Sequence, residues 1–427
     1  MTARRSFLGY AVGATGAALL GGCTPRTAQS SGPADAPAAP AELLLVRTLD
    51  GLVVLKAGTG QPTLPRPAVI ATADAGRVIS AEATTTGTRV VAHTPADGRV
   101  LAGSLLRGTL TPRVCSIDGR LVALTTPPAL APAGAGAAGR ERTTIVVADS
   151  SGERVRLDLP GNIEPEAFTT DGRGLFVLDH LPPARPDRYR VRLLDLHEGR
   201  LHPLYTRDKV PVPAGAEEEM RGDGRQAVYD PARKMLYTLY THQPGHQHTR
   251  DLLGARPGRP DVHAFVHSLH LEQGWAYCVD LSAPFGESPA SGHTLALGRQ
   301  VYVVSTADRM VTSIAPDSLQ VSGVTPYDPP GAGGAAARGS AAMAATADGR
   351  IVIGVDDRVS VVPAGGGPPL LSWSVTPPVR GVALAPTGDR VYVGLDGAVA
   401  AYELAHGREV ARVGVPGLVE LRLARPA

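Results

Sequence analysis

The sequence predicts an all-β chain whose four-stranded units stand around a ring, on three observations. Apolar residues alternate along the chain instead of recurring every third or fourth position, so no helix is predicted. Short β-rich runs are punctuated throughout by Gly, Pro and Asp. One unit also recurs: a Gly-bearing turn, a basic residue, then an apolar strand. It stands at TTGTRVVAH (85–93), IDGRLVALT (117–125), TDGRGLFVL (170–178), DPARKMLYTL (230–239), LGRQVYVV (297–304), ADGRIVIGV (347–355) and TGDRVYVGL (387–395).

Most copies follow a small-residue strand and precede two more strands. In GVALAPTGDRVYVGLDGAVAAYELAHGREVARVGVPG (381–417) all four strands and their tight turns are visible. Units of about 40–50 residues that cannot bury their own faces stack into a ring, which is a β-propeller. Seven turns predict seven blades. The remaining segments LLLVRTLDGLVVLKAG (43–58) and LVELRLARP (418–426) supply an eighth, in which the first and last strands pair and close the ring. The count is seven or eight, because at TLTPRVCSI (109–117) one blade must end and the next begin with no loop between them. The segment LAPTGDRVYVGLDGAVAAYEL resembles the YVTN family of propeller repeats, relatives of the WD40 group. The resemblance is good there, fair at 293–322 and 340–362, and weak before residue 165. It implies a fold and almost nothing about function.

The N-terminus predicts an address. MTARRSFLGYAVGATGAALLGGC has a charged start, an apolar run too short to span a bilayer, and a small-residue processing site. ARRSFLG resembles a twin-arginine export motif at Arg4, Arg5, Phe7 and Leu8, departing from it at Ala3 and Gly9. Leu20, Gly21, Gly22 and Cys23 resemble a bacterial lipobox, as in a lipoprotein of the actinobacterial type. That resemblance implies a signal peptide over 1–22 and a lipidated Cys23 heading a tether over 23–41, rich in Pro, Ala and Ser. The propeller domain then occupies 42–427, held at the extracytoplasmic face of the cell membrane by its lipid.

Composition narrows the partners. The formal charge is +2, with 42 basic and 40 acidic residues and no dense basic run, so no nucleic-acid partner is expected. Only three of the basic residues are lysine, which with 50 Gly and 38 Pro reflects GC-rich coding. Beyond Cys23, Cys115 and Cys278 form no metal or disulfide framework and are read as two separate buried thiols. With aromatic residues at 4%, Val, Leu and Ala must fill the blade interfaces.

In a propeller whose strands A to D run outward, the B–C and D–A connections share one face. The long insertions fall there: 128–142, 181–188 and 243–262 between B and C strands, and 205–225 between a D strand and the next A strand. That face is the candidate binding face. Its polar candidates are His180 beside Asp179, Glu217, Glu218 and Asp223 in the D–A loop, and His242, His246, His248 and Arg250 in the third B–C loop. Glu217–Met220 is read as a solvated loop.

Six of the twelve histidines lie within 241–270. Read as a strand, VHAFVHSLH separates His263 from His267 by roughly 13 Å, too far to share a metal. His263, His267 and His270 are therefore assigned to structure. Only His242, His246 and His248 remain as candidate metal ligands, and zinc needs three or four convergent donors. No cofactor is expected, with a divalent metal on those histidines kept open. No GxSxG, HExxH, Walker or CxxC motif stands in a supporting context. The leading expectation is a non-catalytic binding scaffold whose partner is an envelope protein, peptide or glycan. The alternative is a lactonase-like or quinoprotein-like enzyme with a metal-assisted site of His246, His248, Glu218 and Asp223 near the axis.

Overall fold

A computed structural model describes residues 40–127, 138–221, 225–327, 340–376 and 378–427. The export motif, the lipobox with Cys23, and the tether up to residue 39 lie outside them, as do most of the 128–142 insertion and Asp223. No helix among the described residues is long and apolar enough to cross a membrane.

The strands form eight sheets around a ring. Seven are four consecutive antiparallel strands: blade 1 (residues 70–107), blade 2 (111–160), blade 3 (162–203), blade 4 (226–281), blade 5 (293–326), blade 6 (342–374) and blade 7 (382–414). Blade 8 joins the chain ends. The strand Leu418–Arg425 pairs with Leu43–Thr48, which pairs in turn with Gly51–Lys56. Its outer edge is irregular, held by the isolated bridges Leu52↔Ala68 and Leu55↔Pro62. Glu42 reinforces the closure, accepting hydrogen bonds from Arg390 Nη2 at 2.9 Å and the Tyr392 hydroxyl at 2.8 Å. The eighth blade and its closing strand are as the sequence predicts.

Blades 1 and 2 do meet without a loop: Arg107 ends one and Thr111 begins the next. Gly108, at φ +89°, turns the chain. The Thr88 hydroxyl fixes the turn by donating to the Gly108 carbonyl at 2.8 Å and accepting the Leu110 amide at 2.9 Å.

The repeated turn has a common physical basis. A Thr or Ser at its start donates to an Asp two residues on, as Ser116 does to Asp118 and Thr169 to Asp171, each at 2.6 Å. The same hydroxyl accepts an amide from the start of the following strand, as from Leu121 and Gly174, each at 2.9 Å. Local side-chain bonds of this kind stabilise a tight turn between an inner strand and its neighbour. One turn is assigned differently from the sequence. TTGTRVVAH joins the second and third strands of blade 1, and the inner turn of that blade is Thr72–Arg77, with Thr72 bonded to Asp74 at 2.7 Å. The inner strand, Ile70–Ala71, is only two residues long, too short to carry an alternating pattern.

Aliphatic side chains fill most blade interfaces; between blades 6 and 7, Val352, Val361, Val391 and Val393 meet. The aromatic residues gather instead around blades 3 and 4, where Phe176, Tyr189, Tyr229, Tyr240 and Phe265 are buried together. Cys115 and Cys278 are both free thiols, in blades 2 and 4.

Candidate functional site

Two connections on the B–C/D–A face meet between blades 3 and 4. The first runs from the outer strand of blade 3 into blade 4. It begins against blade 4, with Tyr205 N donating to Gly274 O and Ala276 N to Tyr205 O, both at 3.0 Å. It ends against blade 3, where Tyr189 and Met220 exchange backbone hydrogen bonds. The three glutamates before Met220 alternate like a strand. Glu217 reaches Arg192 at 2.8 Å and Arg190 at 3.5 Å, and Glu219 reaches Arg188 at 2.5 Å. Those arginines share one side of the strand Arg188–Asp195 because their spacing is two. The run Glu217–Met220 is therefore a suture and not a solvated loop, with Met220 fully buried. Glu218 is left pointing the other way, into blade 4.

The second connection runs from Tyr240 to Ala264 and contains the short helix α1 (Thr249–Leu253), which the sequence pattern did not predict. The Gln243 side chain ties it to the first: its Oε1 accepts the Arg221 amide at 3.1 Å and its Nε2 donates to the Arg221 carbonyl at 2.8 Å. Gly258 allows a tight fold within the loop, since any Cβ there would collide with the carbonyls of Gly245 and His246. His248 begins α1, and Asp251 closes the turn by accepting the His248 amide at 3.2 Å.

Glu218 lies among four donor side chains. Its Oε2 is 3.2 Å from His248 Nδ1 and 3.6 Å from His246 Nε2. Its Oε1 is 3.2 Å from the Cys278 sulfur and 3.7 Å from His267 Nε2. Glu218 with His246 and His248, and Glu218 with His267 and Cys278, each place their donor atoms within 4.8 Å of one another. His246 Nε2 and His267 Nε2 are buried and have no hydrogen-bond partner among the described residues. Behind His248, Asp280 accepts from Nε2 at 2.6 Å, and Arg250 holds Asp280 at 2.8 Å. Phe265 orders the histidines, stacking on His246 at 4.7 Å and meeting His248 edge-on at 4.8 Å.

The electrostatics follow from burial. Burial alone would raise the Glu218 carboxyl, but His246, His248 and His267 outweigh it and hold it well below the ordinary carboxylate range. Burial, reinforced by Glu218, pushes the Cys278 thiol well up. Burial lowers His267 to about 4, so its imidazole is neutral at neutral pH. Burial disfavours the charge on His248 too, but the bonds to Asp280 and Glu218 prevail and raise it.

The sequence candidates separate accordingly. Glu218, His246 and His248 come together. His242 does not join them: its Nδ1 lies 2.9 Å from the Thr241 hydroxyl, at a backbone φ of +59°. Its strand end turns the side chain aside before the loop begins. His267, assigned above to structure, is a member of the cluster. The distance argument separating it from His263 holds, yet its companions come from a loop and a neighbouring strand. Cys278 and Asp280 were not foreseen, although His267 pairs directly with Cys278 across the hairpin, and Cys278 and Asp280 share a face. Placing that hairpin turn would have revealed both. Arg250 supports the cluster through Asp280, and Glu217 anchors the loop.

The cluster is also not axial. His267 is on the third strand of blade 4, and Cys278 and Asp280 are on its outer strand, Ala276–Leu281. Nearer the axis, the inner strand of blade 3 carries a different set. His180 Nε2 is 3.2 Å from Glu164, Arg140 donates to Asn162 at 2.9 Å, and Glu166 pairs with buried Arg225. His180 is thus buried against a carboxylate. Burial would raise Glu164, but His180, Arg113 and Arg225 hold it at about 2.

A cavity of about 410 Å³ borders the cluster. Glu218, His248, His267 and Cys278 form one end, and Val191, Leu204, Val212 and Met220 contribute apolar walls.

No protein-family model matches the chain, and no curated protein matches its sequence. Solved structures match its shape. Apo AztD from Citrobacter koseri superposes with a TM-score of 0.51 at 11% identity, covering 90% of this chain and 97% of that one. Dihydro-heme d1 dehydrogenase NirN in complex with DHE gives 0.47 at 14% identity, over 93% of this chain and 77% of that one. The periplasmic gluconolactonase PpgL of Pseudomonas aeruginosa gives 0.42 at 18% identity, over 90% and 99%. At these identities the likeness concerns the fold alone.

Proposed function

We propose that the chain is an envelope-anchored propeller that binds one divalent transition-metal ion between blades 3 and 4, the ring serving as its rigid scaffold. One observation carries the reading: two buried, unpartnered imidazole nitrogens, His246 Nε2 and His267 Nε2, face a buried carboxylate and a buried thiol. A buried polar atom without a partner is costly, so two of them at 3.6 and 3.7 Å from the oxygens of one carboxylate call for a ligand. Imidazole, thiolate and carboxylate together suit zinc or a neighbouring borderline metal better than calcium or magnesium, which prefer all-oxygen sites. The Asp280–His248 bond has the form of the carboxylate–histidine support that orients metal ligands.

The anchor rests on Cys23 and the segment before it, and a scaffold role toward an envelope protein, peptide or glycan rests on the loop-bearing face. The ion requires neither.

The test is zinc titration of metal-free protein carrying no affinity tag, with elemental analysis after dialysis. One zinc per chain is expected in the wild type, and at least a 100-fold loss of affinity in His267→Ala or Cys278→Ser. His242→Ala should bind as the wild type does. Zinc binding no tighter than millimolar, or equal in wild type and His267→Ala, would overturn the proposal.

A further inference from the structure

We infer that the bound ion serves as the anchor for a small amphiphilic carboxylic acid, whose head coordinates the metal and whose tail lies in the adjoining cavity. The inference rests on the metal-binding reading above and goes on to name the ligand.

The cavity has two unlike ends. Its inner end is made of metal donors, and His246 approaches from outside its lining. An ion held by Glu218, His267 and Cys278, whose donor atoms lie within 4.8 Å of one another and which all line the cavity, therefore has its remaining side free for the cavity. Its outer end is apolar and uncovered: Tyr205, Val210 and Leu253, all in its lining, are 42%, 54% and 46% exposed. Large apolar side chains are normally withdrawn from water where they cluster, and a cluster around the mouth of a cavity marks a binding site.

Charge selects the head group. Arg207 and Arg250 flank the ring of Tyr277 at the cavity wall, their guanidinium carbons 5.7 and 5.4 Å from its centroid. Arg250 is bound to Asp280 and to the Cys278 carbonyl, and Arg207 to the carbonyls of Asp317 and Ser318. They are fixed in place, but the lining also carries Asp208, Glu217 and Glu218, so the protein groups alone give the cavity no net positive charge. A divalent cation at the inner end supplies the positive charge there, so an anion is favoured over a neutral or cationic head.

Coordination leaves room for that anion. Zinc is satisfied by four donors, and sites that exchange ligands keep one of them replaceable. Glu218, His267 and Cys278 supply three, and the fourth position faces the cavity. An incoming carboxylate takes that fourth position, displacing the water that fills it, with no bond broken beyond the coordination itself.

The experiment uses the whole mature chain loaded with cobalt, whose visible spectrum reports coordination, and octanoate as probe. Octanoate is expected to change the cobalt spectrum and to bind the loaded protein at least 10-fold more tightly than the metal-free protein. Acetate, which lacks the tail, and octanol, which lacks the donor, should each bind at least 10-fold more weakly. Leu253→Asp, at an exposed rim position, should keep full cobalt loading and weaken octanoate at least 5-fold. Cobalt that loads but shows no spectral response to octanoate overturns this inference and leaves the metal site standing. Failure of cobalt and zinc to bind at all overturns both.

Discussion

The Glu218 carboxylate lies 3.2 Å from the sulfur of Cys278, although sixty residues separate them. Glu218 belongs to a connection sutured onto blade 3, and Cys278 to the outer strand of blade 4. Their contact therefore reports the docking of one blade's exit against the next blade's edge. Burial and Glu218 together raise the thiol well above its ordinary range, so at neutral pH the sulfur carries a proton and donates it to Glu218.

Metal binding through that sulfur must then release the proton. Only the thiolate is a ligand, and metal binding is linked to proton release. Zinc titrations in buffers of different ionisation enthalpy should show about one proton released per ion between pH 7 and 8, with affinity rising about tenfold per pH unit. In Cys278→Ser this release disappears. An unchanged proton count in that variant would remove Cys278 from the ligand set.

Ring closure depends on a close backbone approach. Gly381 has φ +132°, and a Cβ on it would run into the Leu421 carbonyl of the closing strand. Gly397, with φ +70°, has nothing within 4 Å of the same position. Gly397→Ala should cost about 1 kcal/mol, the ordinary left-handed penalty. Gly381→Ala adds a collision and should cost clearly more, together with a loss of cooperativity as blade 8 separates. Urea unfolding of both variants makes the comparison.

Glu164 makes stability acid-sensitive. Its folded pKa of about 2 lies below the ordinary value of 4.5. A depressed carboxyl contributes stability that is complete above the unfolded pKa and is lost as pH falls through the folded one. The stability gap between wild type and Glu164→Gln should therefore be constant above about pH 5 and close progressively toward pH 2. Its size is at most about 3 kcal/mol, reduced by solvent because the side chain is 30% exposed. A gap that stays open at pH 2 would mean that packing, and not charge, explains the role of Glu164.

The fold was legible because its signals are local. Hydroxyl, Asp and Gly recur together at most inner turns, as at Thr72, Ser116, Thr169, Thr346 and Thr387, and apolar alternation marks the strands around them. Blade 1 was misregistered because its inner strand, Ile70–Ala71, is two residues long. The site was only half legible. His246, Gln247 and His248 announce themselves by proximity in the chain. His267, Cys278 and Asp280 became partners only through hairpin register and blade docking, which no periodicity encodes. The glutamate run misled for a related reason. Three consecutive acids look solvated until the Arg188, Arg190 and Arg192 ladder that binds two of them is set beside it. His242 misled in the opposite direction, being near in sequence and turned away in space.

The loop carrying His246 and His248 has its own test in Gly258. A Cβ there would meet the carbonyls of Gly245 and His246, so alanine must push that peptide aside. His246 would then move relative to His267, which is fixed on a buried strand. The strands of blade 4 are bounded by other contacts and need not respond. Gly258→Ala should therefore weaken zinc at least 10-fold, with a stability cost greater than that of Gly397→Ala because the obstructing atoms are backbone. A variant that loses stability broadly yet keeps zinc affinity would show that the loop braces the fold and does not set the metal geometry.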